Sequence, residues 1–355
     1  MMPAFVAAFV LSFVGTVLWG RVAMRFHLID RPGSGRKIHP IPKPLSGGMG
    51  IFFALAVTVL VLLRTNGTLT GGEITTTHYI GVLLGGLILM VGGLLDDRFE
   101  LPPQLSIVAP ILAAITAIGF GIEVEKLTNP FSAGGGSAFG GGGTIALTDW
   151  QSNVLVFVWL LIVMYTTKFL DGLDGLATGV SSIGALMVML LSLTAMYFQP
   201  DVALLSAISL GALLGFLFWT SHPAAIFLGE GGSTFVGYLL GILAVISGGK
   251  LATALLVLGI PLLDVIWVVL RRWRTGGFRK IFQGDRKHLH HRLLDLGWGQ
   301  RRIVLVYYAV AAIFGATTLI LQSQEKLLAL GILICLMVVG SVLLILHEKH
   351  ESRPA

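Results

Sequence analysis

The sequence predicts an all-α polytopic membrane protein with about eleven transmembrane helices, or ten if two neighbouring runs form one broken helix. Three observations carry this. Hydrophobic residues make up 55% of the 355 residues and charged residues only 12%, whereas a soluble domain carries roughly 25% charged residues. The mean hydropathy is +0.88, and a single water-soluble core could not hide that much apolar surface. Apolar runs of about 17 to 25 residues, enough to cross a bilayer as helices, recur along the chain. A soluble enzyme, a nucleic-acid-binding protein and a disordered chain are excluded as readings of the whole.

The runs lie near 3–24, 46–63, 79–95, 105–122, 153–168, 176–198, 202–219, 233–248, 250–270, 302–321 and 327–346. The runs near 233–248 and 250–270 are separated only by Gly248, Gly249 and Lys250, which leaves ten spans as the alternative. With the first loop inside, every lysine and arginine except Arg64, Lys126, Lys250 and Lys326 falls on one side. Cytoplasmic loops carry such an excess, so the N-terminus is expected outside and the C-terminus in the cytoplasm. The net charge of +6 then reports topology, with the bilayer as partner and no nucleic acid. The first charge is Arg21, so a cleavable leader with a basic start is not expected. The single Cys335 rules out an intrachain disulfide. Residues 1–355 read as one domain with two long loops. One is an outer, glycine-rich loop at 123–152 of linker composition; the other is an inner, His/Arg-rich loop at 271–301.

Five clusters of chemically useful residues fall on the expected cytoplasmic side. The first is Arg36-Lys37-Ile-His39, a basic group able to hold an anion or to anchor the membrane face. The second is Asp96-Asp97, with Glu100 brought to the same face if the helix continues. Clustered carboxylates at a membrane face suit Mg²⁺, a hard cation, or supply a general base. The third is Lys168-Phe-Leu-Asp171-Gly-Leu-Asp174-Gly175. At helical spacing Asp171 and Asp174 share a face, Lys168 can pair with Asp171, and the glycines admit close approach by a ligand. In the fourth, Gly229-Glu230-Gly-Gly-Ser233, a helix start offers backbone N–H groups to an anion. An acid beside such a site favours Glu230 as a metal ligand. The fifth is Lys287-His288-Leu-His290-His291-Arg292, suited to a phosphate-rich ligand, with zinc disfavoured by the cationic surroundings and the lack of a thiolate. Asp264 lies inside the ninth span, where an acid marks either a functional site or an ion pair to a neighbouring helix. Together these residues describe an anionic, metal-binding centre ringed by basic groups, the parts that phosphoryl transfer needs.

Taken in order, Arg-Lys-x-His, Asp-Asp, Asp-Gly-Leu-Asp-Gly-Leu-Ala, Gly-Glu-Gly-Gly-Ser and His-x-His-His-Arg-Leu resemble the motifs of the polyprenyl-phosphate N-acetylhexosamine-1-phosphate transferases, glycosyltransferase family 4. The likeness spans about residues 3–321 and is nearest to the bacterial branch that charges undecaprenyl phosphate with N-acetylglucosamine-1-phosphate. The resemblance implies a UDP-sugar donor, release of UMP, a requirement for Mg²⁺ or Mn²⁺, and a bacterial inner (cytoplasmic) membrane enzyme with its active site on the cytoplasmic face. It also admits a homodimer. It implies Asp96, Asp97, Asp171, Asp174 and His290 as catalytic, with Asp97 against the lipid phosphate, and Glu230 with Asp174 at the metal. Substrate binding would fall to Arg36, Lys37, His39, Lys168, Asp264, His288, His291 and Arg292. Three positions depart from the family pattern: Glu230 stands for the usual Asp, Lys168 for Asn and Ser106 for Lys. A lysine lost at 106 and gained at 168 would conserve one positive charge. The rival readings are a lipid-carrier flippase, a CDP-alcohol phosphotransferase, whose signature fails after Asp171-Gly172, and a catalytically impaired scaffold.

Overall fold

A computed structural model describes residues 1–32, 41–65, 69–72, 74–129, 143–248, 250–281, 288–321 and 323–351. Arg36, Lys37 and His39, the glycine run of the outer loop, and 282–287 lie outside the described residues. The chain opens with α1 (Met2–Arg25), the short strands β1 (Ile29–Asp30) and β2 (Lys43–Pro44), α2 (Gly47–Thr65) and α3 (Thr76–Phe99). Then come α4 (Pro103–Ser106), α5 (Val108–Gly119), β3 (Lys126–Asn129), β4 (Gly143–Ala146), α6 (Asp149–Leu170), α7 (Leu176–Ser192) and α8 (Pro200–Thr220). The C-terminal part holds α9 (Glu230–Ile246), α10 (Leu251–Val257), α11 (Gly259–Ile281), α12 (Leu289–Asp295), α13 (Gln300–Ile320) and α14 (Ser323–Glu351).

Each apolar run of the sequence becomes a helix, the fourth split as α4–α5 and the ninth bent by 79° between α10 and α11. Among the described residues six helices, α1, α2, α3, α6, α8 and α13, are long and apolar enough to cross a membrane, and the bent α10–α11 pair makes up to seven. The chain is therefore a multi-pass helical membrane protein. Three further apolar segments, α4–α5, α7 and α9, have 17 residues each, about 25 Å at 1.5 Å per residue, the short end of what crosses a bilayer. Two short antiparallel ladders, β1–β2 and β3–β4, qualify the all-α expectation. The second flanks the glycine-rich segment.

Helix α1 is packed small side in and large side out, as interhelical contact in lipid favours. On α1, Ala4, Ala8, Ser12, Gly15 and Gly20 are buried, while Val6, Val10, Val14 and Leu18 are exposed. The helices α8 and α9 are buried nearly all round and form the centre, as expected of helices that are apolar on every face. Capping is local and legible. Thr75 and His78 exchange hydrogen bonds at the start of α3, and Thr148 N donates to Gln151 Oε1 at the start of α6.

Candidate active site

A cavity of about 740 Å³ opens where the α1–α2, α3–α4, α6–α7 and α8–α9 connections meet α12 and the first residue of α13. That volume is within the range of small-molecule sites, roughly 300–1,000 Å³. Its wall includes Asp96, Asp97, Glu100, Lys168, Asp171, Asp174, Glu230 and His291. Four of the five sequence clusters therefore meet at one place, and the fifth, around Arg36, lies outside the described residues.

The meeting is set by backbone contact. A side chain on Gly231 would collide with Gly93 of α3, and one on Gly232 with Gly48 of α2. The glycines after Glu230 thus admit neighbouring helices, where the sequence suggested a phosphate. Gly229, at φ +79°, turns the chain into α9 so that Glu230 N donates to Asp97 Oδ1 at 3.1 Å and Oδ2 at 3.2 Å. The acceptor at this helix start is the protein's own Asp97 carboxyl group. Asp96 accepts from Leu101 N at 3.1 Å and from Ser106 Oγ at 2.5 Å. The helix does not continue to Glu100, which is left-handed at φ 49°, so Glu100 reaches the cavity from a turn.

Asp171 and Asp174 also sit in a turn, between α6 and α7, rather than on one helical face. Asp171 faces the cavity with the charges of Glu230, Asp97 and Asp174 bearing on it. Asp174 Oδ2 accepts from Ala224 N at 3.0 Å and lies 2.8 Å from His222 Nδ1. One of its oxygens is thereby committed to the 222–224 turn. Lys168 pairs with Glu230 at 2.7 Å and stands 3.9 Å from Asp96, not with Asp171 as the spacing suggested.

The histidine cluster divides. His291 lines the cavity. His290 is 2% exposed, and its ring packs over Gly172 behind the Asp171 turn. Burial, with His291 and His288 beside it, holds the His290 imidazole well below the ordinary 6.5, hence neutral. His288 is buried between Phe169 and His290, with ring centroids at 5.6 Å and 5.7 Å. Its Nδ1 lies 2.8 Å from Asp264 Oδ2, and Asp264 Oδ1 accepts from Leu289 N at 2.9 Å. Asp264 therefore anchors α12 and stands away from the cavity wall. Arg292 follows in α12 without lining the cavity.

Three wall residues escaped the motif reading. His222 sits in a Ser-His-Pro loop eight residues before Glu230, and its carbonyl accepts from Arg301 Nη2 at 3.0 Å. Asp30 and Lys43 face each other across the β1–β2 ladder, and Lys43 Nζ lies 4.7 Å from the centre of the Phe227 ring. Their signal was proximity in sequence to motifs already named.

Among the described residues no three His, Cys, Asp or Glu side chains are set to hold a metal ion together. The donor chemistry nevertheless fits Mg²⁺. This ion takes hard oxygens, commonly one or two carboxylates, and completes its shell with water and substrate phosphates. Of the acids in the Asp96-Asp97, Asp171–Asp174 and Glu230 motifs, Glu230 and Asp171 are the ones that no backbone N–H engages in the hydrogen bonds described above.

The family model of glycosyl transferase family 4 matches residues 79–248, the stretch that carries the acids from Asp96 to Glu230. The chain is 29% identical to the probable undecaprenyl-phosphate N-acetylglucosaminyl 1-phosphate transferase of Bacillus subtilis, over 98% of this chain and 93% of that protein. It is 30% identical to the decaprenyl-phosphate N-acetylglucosaminephosphotransferase of Mycolicibacterium smegmatis, over 94% and 86%. It is 29% identical to the phospho-N-acetylmuramoyl-pentapeptide-transferase of Desulforudis audaxviator, over 88% and 96%. With its motif order, its acid-lined cavity and relatives matched along almost their whole length, the chain belongs to glycosyl transferase family 4.

Proposed function

We propose that this protein transfers N-acetylglucosamine-1-phosphate from UDP-N-acetylglucosamine to a polyprenyl phosphate, undecaprenyl phosphate in a bacterial host, releasing UMP. The observation that carries the reading is the single cavity in which Asp96, Asp97, Asp171, Asp174, Glu230 and His291 meet. Two relatives matched over most of their length are named for transfer of this sugar phosphate to polyprenyl carriers.

In the reaction an acceptor phosphate oxygen bonds to the sugar-bearing phosphorus of the donor. The bond from that phosphorus to the bridging oxygen breaks, and UMP leaves. A phosphate monoester is largely dianionic near neutral pH, so no proton need be removed first. The chain's task is to bring two anions together and offset their repulsion. Bound Mg²⁺ would supply a Lewis acid toward phosphate oxygens; the motifs assign it to Glu230 and Asp174, and because Asp174 Oδ2 is engaged by the 222–224 turn, Asp171 is proposed beside Glu230 as its protein ligand. Asp97, fixed by Glu230 N, orients the acceptor side, and Asp174 orders the 222–224 turn. His291 donates toward the donor diphosphate, and the buried His290 keeps His291 and the Asp171–Gly172 turn in place. Arg36, Lys37 and His39 are assigned to the substrate phosphates by motif alone.

We further assign the cavity to the cytoplasmic face of a bacterial inner membrane, the N-terminus to the outside and ten or eleven crossings to the chain, on the lysine and arginine distribution. The carrier reading rested on Asp264, and the bonds from Asp264 to His288 and Leu289 give that acid a structural task. The test is UMP release by purified protein in detergent with undecaprenyl phosphate and UDP-N-acetylglucosamine, with and without Mg²⁺. Release that needs lipid and metal together supports the reading. No release with this donor, a panel of UDP-sugars or Mn²⁺ sinks it.

A further inference from the structure

We propose that Lys168 is a resident counter-ion of the acid cluster that competes with a divalent cation for Glu230, so that ammonium and metal exchange on one carboxylate. The inference rests on the assignment of Glu230 to the metal.

Lys168 Nζ lies 2.7 Å from Glu230 Oε2, 3.1 Å from Ser106 Oγ and 3.9 Å from Asp96 Oδ2. Ser106 Oγ in turn donates to Asp96. One ammonium from α6 thus joins the first turn of α9 to α4 and the end of α3. The other acids are handled differently: Asp97 and Asp174 are engaged by backbone N–H groups, and Asp96 by a backbone N–H and a hydroxyl. Those neutral donors do not repel a cation. Of Asp96 and Glu230, the two acids beside the ammonium, Glu230 makes the closer contact, at 2.7 Å against 3.9 Å. An ammonium at that distance opposes a dication on the same oxygen, and the partly buried setting weakens screening.

Exposure says which partner moves. The Glu230 side chain is 42% exposed and Lys168 only 20%. The carboxylate can turn toward the cavity while the ammonium stays between Ser106 and Asp96. The ammonium reaches across from 168 to within 3.1 Å of the Ser106 side chain, so a change at either position bears on the same contact.

The test measures Mn²⁺ binding to the full-length protein in detergent, without substrates, by electron paramagnetic resonance of free Mn²⁺. Lys168→Met is expected to bind Mn²⁺ about tenfold more tightly than wild type, and Lys168→Arg about as wild type. Adding Glu230→Gln to Lys168→Met should remove the gain. Ser106→Lys alone, which places a second ammonium beside Asp96, should weaken binding and gives an answer even if Lys168→Met does not fold. Combining Ser106→Lys with Lys168→Asn should return affinity toward wild type. Unchanged or weaker binding by Lys168→Met, or no effect of Ser106→Lys, overturns the competition. No Mn²⁺ bound by any of these proteins overturns the metal assignment itself, a distinguishable result.

Discussion

The acid cluster and the histidine cluster share a cavity edge but are built in opposite ways. Acids Asp96, Asp97, Asp171, Asp174 and Glu230 all reach the wall, and their partners are mostly backbone N–H groups, a hydroxyl and one lysine. Of the three histidines only His291 reaches it, while His288 and His290 are buried and His288 leans on Asp264. The acids therefore line the cavity, and two of the histidines are packed behind it. Residues of one motif can differ this much because motif spacing fixes chemistry, whereas tertiary partners fix task.

The widest gap should appear between Asp97 and His290. Asp97→Asn is expected to lower kcat for UMP release about a hundredfold or more, as loss of a preorganised polar group at a reacting centre does. His290→Gln should act mainly on folding. Equal kinetic losses in the two variants, at equal melting temperature, would erase the distinction. Next comes Asp264→Ala, which strands a buried His288 and the first N–H of α12. Breaking such a buried pair costs about 3 kcal/mol, to be read as a lowered melting temperature in detergent, whereas Asp171→Ala should melt near wild type. A smaller effect, about tenfold in KM for the UDP-sugar with kcat little changed, is expected of His291→Ala, since one charge-assisted contact is lost. A changed kcat with unchanged KM would move His291 to the reacting atoms. The smallest is a pH effect. His290 is neutral in the fold, and an unfolded chain takes up its proton near 6.5. Its contribution to stability is therefore complete above that pH and lost as pH falls below it. Melting temperature should drop between pH 7 and 5, and more gently in His290→Gln.

Much of the frame was legible in the sequence because lipid imposes one strong rule. A run of apolar residues must fold as a helix that satisfies its own backbone, and every run does. The acids were legible as types at a membrane face. Partnerships were not. Lys168 has Asp171 one helical turn away in sequence, yet it pairs with Glu230 on another helix, because the chain leaves helical geometry at Asp171 and α9 packs against α6. Glycines 231 and 232 suggested a ligand and instead serve α3 and α2. His222 carried no motif, and only the fold sets it against Asp174.

The glycine contacts of α9 have a mechanical consequence. Where helices touch backbone to backbone at Gly93–Gly231 and Gly48–Gly232, there is no side chain to bend and no slack to take up. That side of the cavity is the fixed jaw of a vice. The wall at α12 is held otherwise, through the side chain of Asp264 to His288 Nδ1 and Leu289 N.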